Sequence, residues 1–263
     1  MRYLNKRNRA ILREMITTDF KVRYQGSVLG YLWSVLKPLF LFAILYVVFT
    51  YVFSVGDSIE HFPVYLLLGI VIWNFFTEAT VVGASSVVSN GELLRKISIP
   101  RYLVVVASSI SALINLAFSM VVVFIAAAIN HVPLTIGWLL LPLILAELFL
   151  FALAVAFFLS AAYVKFRDIS YIWEIILQAG FYASAVLFPL QLVDEKWQGF
   201  FFINPLVQMM QDARYAMVTH QSITLWSAVS FPLLLVPFVI MVVVAVAAKL
   251  YFKRESEFFA ENV

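Results

Sequence analysis

Residues 19–39 read DFKVRYQGSVLGYLWSVLKPL, and within this stretch a charged, amphipathic segment turns into the first long apolar run. Upstream of it, Ile11, Leu12, Met15, Ile16 and Phe20 recur at three- and four-residue intervals, on one face of a helix predicted over 8–24. Arg9, Arg13, Glu14, Thr17, Asp19, Lys21 and Arg23 fill the rest of its surface. A basic helix with one apolar face and an otherwise polar surface lies flat in the headgroup layer. Gly26 and Gly30 then remove two side chains where the chain turns, which permits a sharp bend or close helix approach. Trp33 stands at the depth where an indole keeps its N–H among headgroups. After Pro38 no charged residue occurs until Asp57, so the chain has entered a bilayer.

The composition agrees with this reading. The 263 residues are 63% hydrophobic and only 13% charged, with a mean hydropathy of +0.96. A water-soluble domain carries about 25% charged residues, so one integral membrane domain over 1–263 is expected. There is no cysteine, which excludes disulfides, a thiol nucleophile and cysteine metal ligation. The polar first thirty residues lack the short apolar core of a cleavable signal peptide.

Six segments are long enough to cross a bilayer, at roughly 20 apolar residues per span: 30–55, 63–89, 103–130, 136–164, 171–189 and 226–250. Backbone amides in hydrocarbon must bond within their own segment, so each is read as a helix. Short alternating strands of a barrel are missing. With the N-terminus cytoplasmic, every lysine and arginine except Lys196 and Arg214 falls on the cytoplasmic side. The positive-inside rule therefore fixes the topology and puts both termini there, with 251–263 as a cytoplasmic tail.

Two connections are too elaborate for plain loops. Residues 90–101, NGELLRKISIPR, read as a short helix with Leu93, Leu94 and Ile97 on one side and Glu92, Arg95 and Lys96 on the other. Pro100 stops it before the next span. Such apolar spacing in a loop suggests docking on a partner, with a solvated connection tucked against its own helix ends as the alternative. Residues 194–216 are too polar for a span and too apolar for a free loop, and Asn204-Pro205 divides them. They form either a re-entrant helix pair on the outer side or an amphipathic hairpin on the outer leaflet.

Lys21-Val-Arg23-Tyr24, Ser27, Leu29-Gly30, Leu32-Trp33 and Pro38-Leu39 resemble the signature of polysaccharide-export permeases among type-2 ABC transporters. Phe166-Arg167-Asp168-Ile169, Asn204-Pro205-Leu206 and Arg214-Tyr215 are similar to further elements of that family. One departure stands out: where the family often has Ser-Pro late in the fifth span, Ser184 is followed by Ala185, and proline comes at 189. The resemblance implies an all-α membrane fold with six spans, an N-terminal interface helix and a re-entrant outer gate hairpin. It implies a homodimer in the bacterial inner membrane, joined by two ABC ATPase subunits, that exports a lipid-linked glycan of O-antigen, teichoic acid, capsule or galactan type. ATP and magnesium would sit on the partner ATPase, with no cofactor on this chain and no nucleic acid involved. In that frame 90–101 is the coupling loop, with Glu92, Leu93, Leu94, Arg95, Lys96 and Ile97 facing the ATPase beside Arg13, Lys21 and Arg23 of the interface helix. Phe200, Phe201, Asn204, Pro205 and Arg214 belong to the outer gate.

Other chemistry is poorly represented. No G-x-x-x-x-G-K-[ST] phosphate loop, H-E-x-x-H or G-x-S-x-G occurs, and His61, His131 and His220 fall in separate expected outer loops. Glu78, Glu147 and Glu174 lie in or near spans, where a carboxylate either pairs structurally or serves function. Sugar rings stack C–H faces on aromatic rings, so Tyr31, Trp33, Tyr46, Tyr51, Trp73, Phe75 and Phe76, with Glu78, are candidates for a glycan path. Interfacial belts and lipid-facing aromatics are the alternative reading of the same residues. A lipid or drug exporter and a membrane-embedded glycosyl or acyl transferase are the competing functions; the latter needs a surface cluster of acids or histidines that the sequence does not offer.

Overall fold

The computed structural model describes residues 6–24, 30, 32–53, 56, 59–96 and 99–256, without the side chains of Phe20, Arg23 and Tyr24. Among these residues there are helices and irregular connections and no strand. In order they are α1 (Lys6–Tyr24), α2 (Leu32–Val47, extended by one π turn to Val52), α3 (Phe62–Ser89), α4 (Gly91–Lys96) and α5 (Tyr102–Ile129). After a 3-10 turn (Ile136–Leu140) come α6 (Leu141–Lys165), α7 (Ile169–Ala183), α8 (Glu195–Phe201), α9 (Pro205–Met217), α10 (Leu225–Ala228) and α11 (Val236–Glu255). Prolines occupy the first turns of α3, α6, α9 and α11, where a missing N–H breaks no helical bond.

Among the described residues, five helices are long and apolar enough to cross a membrane: Leu32–Val52, Phe62–Ser89, Tyr102–Ile129, Ile136–Lys165 and Leu233–Glu255. The sequence led to six, and the difference lies at 171–189. There α7 ends at Ala183 after 15 residues, about 22 Å at 1.5 Å per residue, short of a hydrocarbon core of about 30 Å. Ala185 then takes a left-handed backbone with φ 52°, and Pro189 is extended, so the helix cannot continue. The expected span 226–250 also differs. Leu225–Ala228 is a separate turn closed by a Thr224–Ser227 capping box, Val229 is extended, and the long helix starts beyond Pro232.

The second crossing helix, α3, is the axis of the fold. It packs against α2, α5, α6, α7 and α9, and 72% of its apolar window is buried, against 6% for the α2 helix and 11% for α11. A helix apolar all round, as α3 is from Val64 to Ile72, belongs inside a bundle. Lipid tails are as apolar as leucine, so helix association rests on close packing and interhelical hydrogen bonds. At Gly83 a Cβ would come within 2.6 Å of the Ala156 Cβ, so α3 and α6 touch nearly backbone to backbone. The face of α1 bearing Asn8, Ile11, Leu12, Met15 and Ile16 turns inward, while Arg9, Arg13, Thr17 and Lys21 are exposed. An Asn8 Nδ2 to Tyr102 hydroxyl bond of 3.3 Å ties α1 to the start of α5.

Candidate functional site

Three regions carry the polar residues, one near each end of the bundle and one inside it. At the end where α1, α4 and the start of α5 meet, a cavity of about 420 Å³ is lined by Glu14, Asp19, Asn90, Leu93 and Ser108 among others. On α4, Glu92 and Lys96 form an exposed i,i+4 pair at 3.5 Å, and Arg95 is exposed beside them. The two leucines divide: Leu93 faces the cavity, whereas Leu94 packs onto the small core of Val87, Val105, Ala156, Ala161 and Val164. Arg13 and Lys21 are exposed on α1. Ile97 and the Arg23 side chain lie outside the described residues.

Inside the bundle, Asn74, Thr77, Glu78 and Val81 follow one another along α3 at helical intervals and open on two cavities. One, of about 420 Å³, lies between α2, α3 and α7, with Trp73, Asn74, Glu174, Gln178 and Tyr182 in its walls. The other, of about 400 Å³, lies between α2, α3 and α5 and includes Trp33, Lys37, Phe75, Glu78 and Asn115. Asn115 Nδ2 donates to Glu78 Oε1 at 2.6 Å, so this carboxylate is bonded across two consecutive spans.

The aromatic candidates separate by environment. Trp73 meets Phe181 edge-on at 6.0 Å and lines the first cavity. Phe75 is buried in the wall of the second, where Trp33 is 46% exposed. Phe76 is a packing residue, 4% exposed, stacked on Phe151 at 5.7 Å and next to Trp173. Tyr46 stacks between Phe42 and Phe62. Tyr51 is 75% exposed at the far end of the first span, and Tyr31 lies outside the described residues.

Near the opposite end of the bundle, the short α8 leads through residues 202–204 into the longer α9. The Asn204 side chain caps α9 by accepting from the Leu206 N–H at 3.0 Å and donates to Ser184 Oγ at 2.9 Å. Asn204-Pro205 therefore reads as an N-cap followed by N1 proline. Phe201 meets Phe188 edge-on at 6.0 Å, while Phe200 is 61% exposed. Arg214, expected from the sequence on the outer side as part of the gate, is fully buried. Its Nε donates to the Tyr65 carbonyl at 3.2 Å. Nη1 reaches the Ala185 carbonyl at 2.9 Å and Gln211 Oε1 at 3.0 Å, and Nη2 reaches the Val186 carbonyl at 2.9 Å. The guanidinium also lies 3.7 Å from the Tyr65 ring centroid. Its neighbour Gly69 has no room for a side chain, because a Cβ there would collide with Nη2. The irregular end of α7 thus supplies carbonyls that helix geometry would otherwise have used, and α9 returns a cation to bind them.

Sequence reading overlooked several of these groups. Lys37, Asn115 and Gln178 line the cavities, and Gln208 bonds Asp212 at 2.7 Å. Asn115 left a trace: with Ser108, Ser111 and Ser119 it makes a polar line at helical spacing through an otherwise apolar helix. The partners of Arg214 left none, since three are main-chain carbonyls.

Comparison with known proteins bears on all three regions. The family model described as ABC-2 type transporter matches residues 12–218. The O-antigen export system permease protein RfbA of Myxococcus xanthus is 28% identical over 258 residues, covering 97% of this chain and 96% of the relative. The RfbA permease of Klebsiella pneumoniae is 26% identical over 193 residues, 73% of this chain and 74% of that protein. The polysialic acid transport protein KpsM of Escherichia coli is 23% identical over 208 residues, 76% of this chain and 78% of that protein. The matched stretch runs from α1 to just beyond α9, and the chain belongs to the ABC-2 type transporter family.

Proposed function

We propose that this chain is the permease subunit of an ATP-driven exporter of a lipid-linked polysaccharide of O-antigen or capsular type, working in the bacterial inner membrane. The observation that carries the proposal is the end-to-end match, 97% of one chain on 96% of the other, with an O-antigen export permease. ATP and magnesium act on a separate ATPase subunit, two copies of which assemble with two copies of this chain. The exposed face of α4, with Glu92, Arg95 and Lys96, and Leu93 in the adjoining cavity receive the motion of the ATPase, helped by Arg13, Lys21 and Arg23. The helix α1 lies in the headgroup layer. The sixth crossing is composite: α7 spans part of the way and the α8–α9 hairpin re-enters from the outer side to complete it.

The glycan passes where α2 and α7 leave a cavity against α3. A sugar chain needs hydroxyl partners and apolar faces together, and Asn74, Glu174, Gln178, Trp73 and Tyr182 supply both. Trp33, Tyr46 and Tyr51 on the first span and Phe75 and Glu78 on α3 flank this route, Phe76 supports it from behind, and Tyr31 is assigned to the same path from its sequence alone. Phe200 and Phe201 cover the outer end, with Asn204, Pro205 and Arg214 holding the hairpin that carries them. The test is co-expression with the neighbouring ATPase and assay of surface glycan with and without this subunit. Polymer retained in the cytoplasm on deletion, together with two-to-two co-purification, is the expected result. Failure of polymer synthesis itself, with no ATPase bound, would return the membrane-enzyme reading.

A further inference from the structure

A groove of about 410 Å³ runs between α8 and the segment from Ala228 to Val236. Phe202, Ile203, Val229 and Leu233 line it, together with Glu195 and Lys196. Phe202 is buried whereas Glu195 and Lys196 are exposed, so the apolar surface lies beneath and the charges stand at the mouth. The walls are fixed in place. Gln198 ties α8 inward, donating from Nε2 to the Val193 carbonyl at 2.9 Å and to the Leu190 carbonyl at 3.4 Å. Phe202 packs into a small core with Ala185, Leu190, Val207 and Leu225, and a capping box closes the turn that precedes Val229. Gly199 keeps the space open, since a Cβ there would already touch Val229 Cγ2 at 3.6 Å. Depth follows from α11. From Val236 to Lys253 that helix rises about 26 Å at 1.5 Å per residue, close to a hydrocarbon thickness of about 30 Å. With Lys253 and Arg254 in one headgroup layer, the groove lies at the other. Trp197 and Phe200 on α8 and Phe231 on the facing segment are exposed there, as suits residues at a lipid boundary.

An apolar groove at that depth meets acyl chains, and its charged mouth discriminates among headgroups. Lys196 Nζ lies 3.1 Å from Asp194 Oδ2, and an ammonium has two further N–H groups to give. Lys196 is thus turned to Asp194, which leaves the Glu195 carboxylate to a cation from outside. Asp194, Glu195 and Lys196 together carry one net negative charge, and this disfavours an anionic headgroup. A zwitterion with a primary ammonium fits best: its ammonium donates to Glu195 and its phosphate accepts from Lys196. A choline headgroup has the same net charge but no N–H to donate. We propose that this groove docks a bilayer phospholipid with an ethanolamine headgroup, one acyl chain lying over Phe202 and Val229. The bound lipid braces α8 against the start of α11. Only the naming of this leaflet as the outer one rests on the exporter reading.

The test uses the full chain purified in detergent, so that it needs no ATPase partner. Native mass spectrometry compares phosphatidylethanolamine, phosphatidylcholine and phosphatidylglycerol with identical acyl chains. Phosphatidylethanolamine is expected to bind most tightly. Glu195→Gln lowers its affinity about two- to fivefold, the worth of one exposed ion pair, and leaves phosphatidylcholine unchanged. Gly199→Leu fills the groove and weakens both of these lipids alike; if that variant melts far below the parent, Glu195→Gln at the exposed mouth decides. Equal binding of the three lipids, a preference for phosphatidylglycerol, or undiminished phosphatidylethanolamine affinity in Glu195→Gln overturns the site. Tighter binding of a polyprenyl phosphate, lost in Gly199→Leu, also overturns it and gives the groove to that lipid instead. Surface glycan reads out separately: selective binding without export removes the exporter reading alone, whereas export without selective binding removes the groove alone.

Discussion

Gly69→Ala and Arg214→Ala, made singly and together, probe the strongest coupling in the molecule. In the parent, the Arg214 guanidinium binds three main-chain carbonyls and the Gln211 side chain, and a Cβ at position 69 would occupy the place of Nη2. Arg214→Ala leaves those acceptors buried with no donor and opens a cavity. Removing one side of a buried charged cluster costs about 3–5 kcal/mol, and that is the expected loss. Gly69→Ala alone evicts Nη2 from the Val186 carbonyl. A charge-assisted bond is worth about 1.5–3 kcal/mol, and alanine returns about 1 kcal/mol of helix propensity, so the net loss is about 0.5–2 kcal/mol. In the Arg214→Ala background the collision is gone, leaving only Val186 O at 3.3 Å, and the same substitution becomes neutral or favourable by up to about 1 kcal/mol. The coupling is then about 2 kcal/mol and the sign of the Gly69→Ala effect reverses. Thermal unfolding of the purified chain in detergent, followed by tryptophan fluorescence across all four proteins, measures the cycle. An equal loss from Gly69→Ala in both backgrounds would refute the account of Arg214 as the latch between α9 and the end of α7.

Leu93→Asp is expected to reduce co-purification of the ATPase at least tenfold with membrane insertion unchanged; full co-purification would remove Leu93 from the coupling surface. Leu94→Asp does more damage to the chain itself, since Leu94 packs on a buried core, and a larger drop in melting temperature than for Leu93→Asp is the check. Tyr31→Ala or Trp33→Ala lowers export more than assembly, measured as surface glycan per copy of complex; normal transport in both variants would remove aromatic stacking there as the substrate contact. Asn204→Ala loses the cap of α9 and the tie to Ser184, about 1–2 kcal/mol by thermal unfolding, whereas Ser184→Ala costs less because the cap survives.

What the sequence made legible followed from solvent. A run such as Tyr102–Ile129 has one stable form in hydrocarbon, so helices and their approximate ends were readable, while lysine and arginine placement gave an expected orientation. Asn204-Pro205 declared its helix start by residue type alone. The end of α7 was harder: FYASAVLFP is apolar enough to continue a span, and it stops at Ser184 because Arg214, some thirty residues later, takes the carbonyls of Ala185 and Val186. Arg214 was expected in the outer gate, but its burial was not readable, because most of the acceptors that hold it are backbone atoms without a sequence signature. Of the aromatic residues, composition named the class but not the member, and Phe76 and Tyr51 proved to occupy opposite environments.

The Glu78–Asn115 bond joins the second and third crossing helices, 37 residues apart in the chain, and this bears on how the protein is made. A carboxylate entering lipid alone is costly, but its partner follows as soon as the next helix leaves the ribosome. The two helices are therefore suited to enter the bilayer together as a pair, hydrogen-bonded to each other before the remainder exists. Arg214 works on the other schedule. Every carbonyl it binds is synthesised before it, so its arrival closes a socket that has been waiting, and chains truncated before α9 should be recognised by membrane quality control as unfinished at that one place.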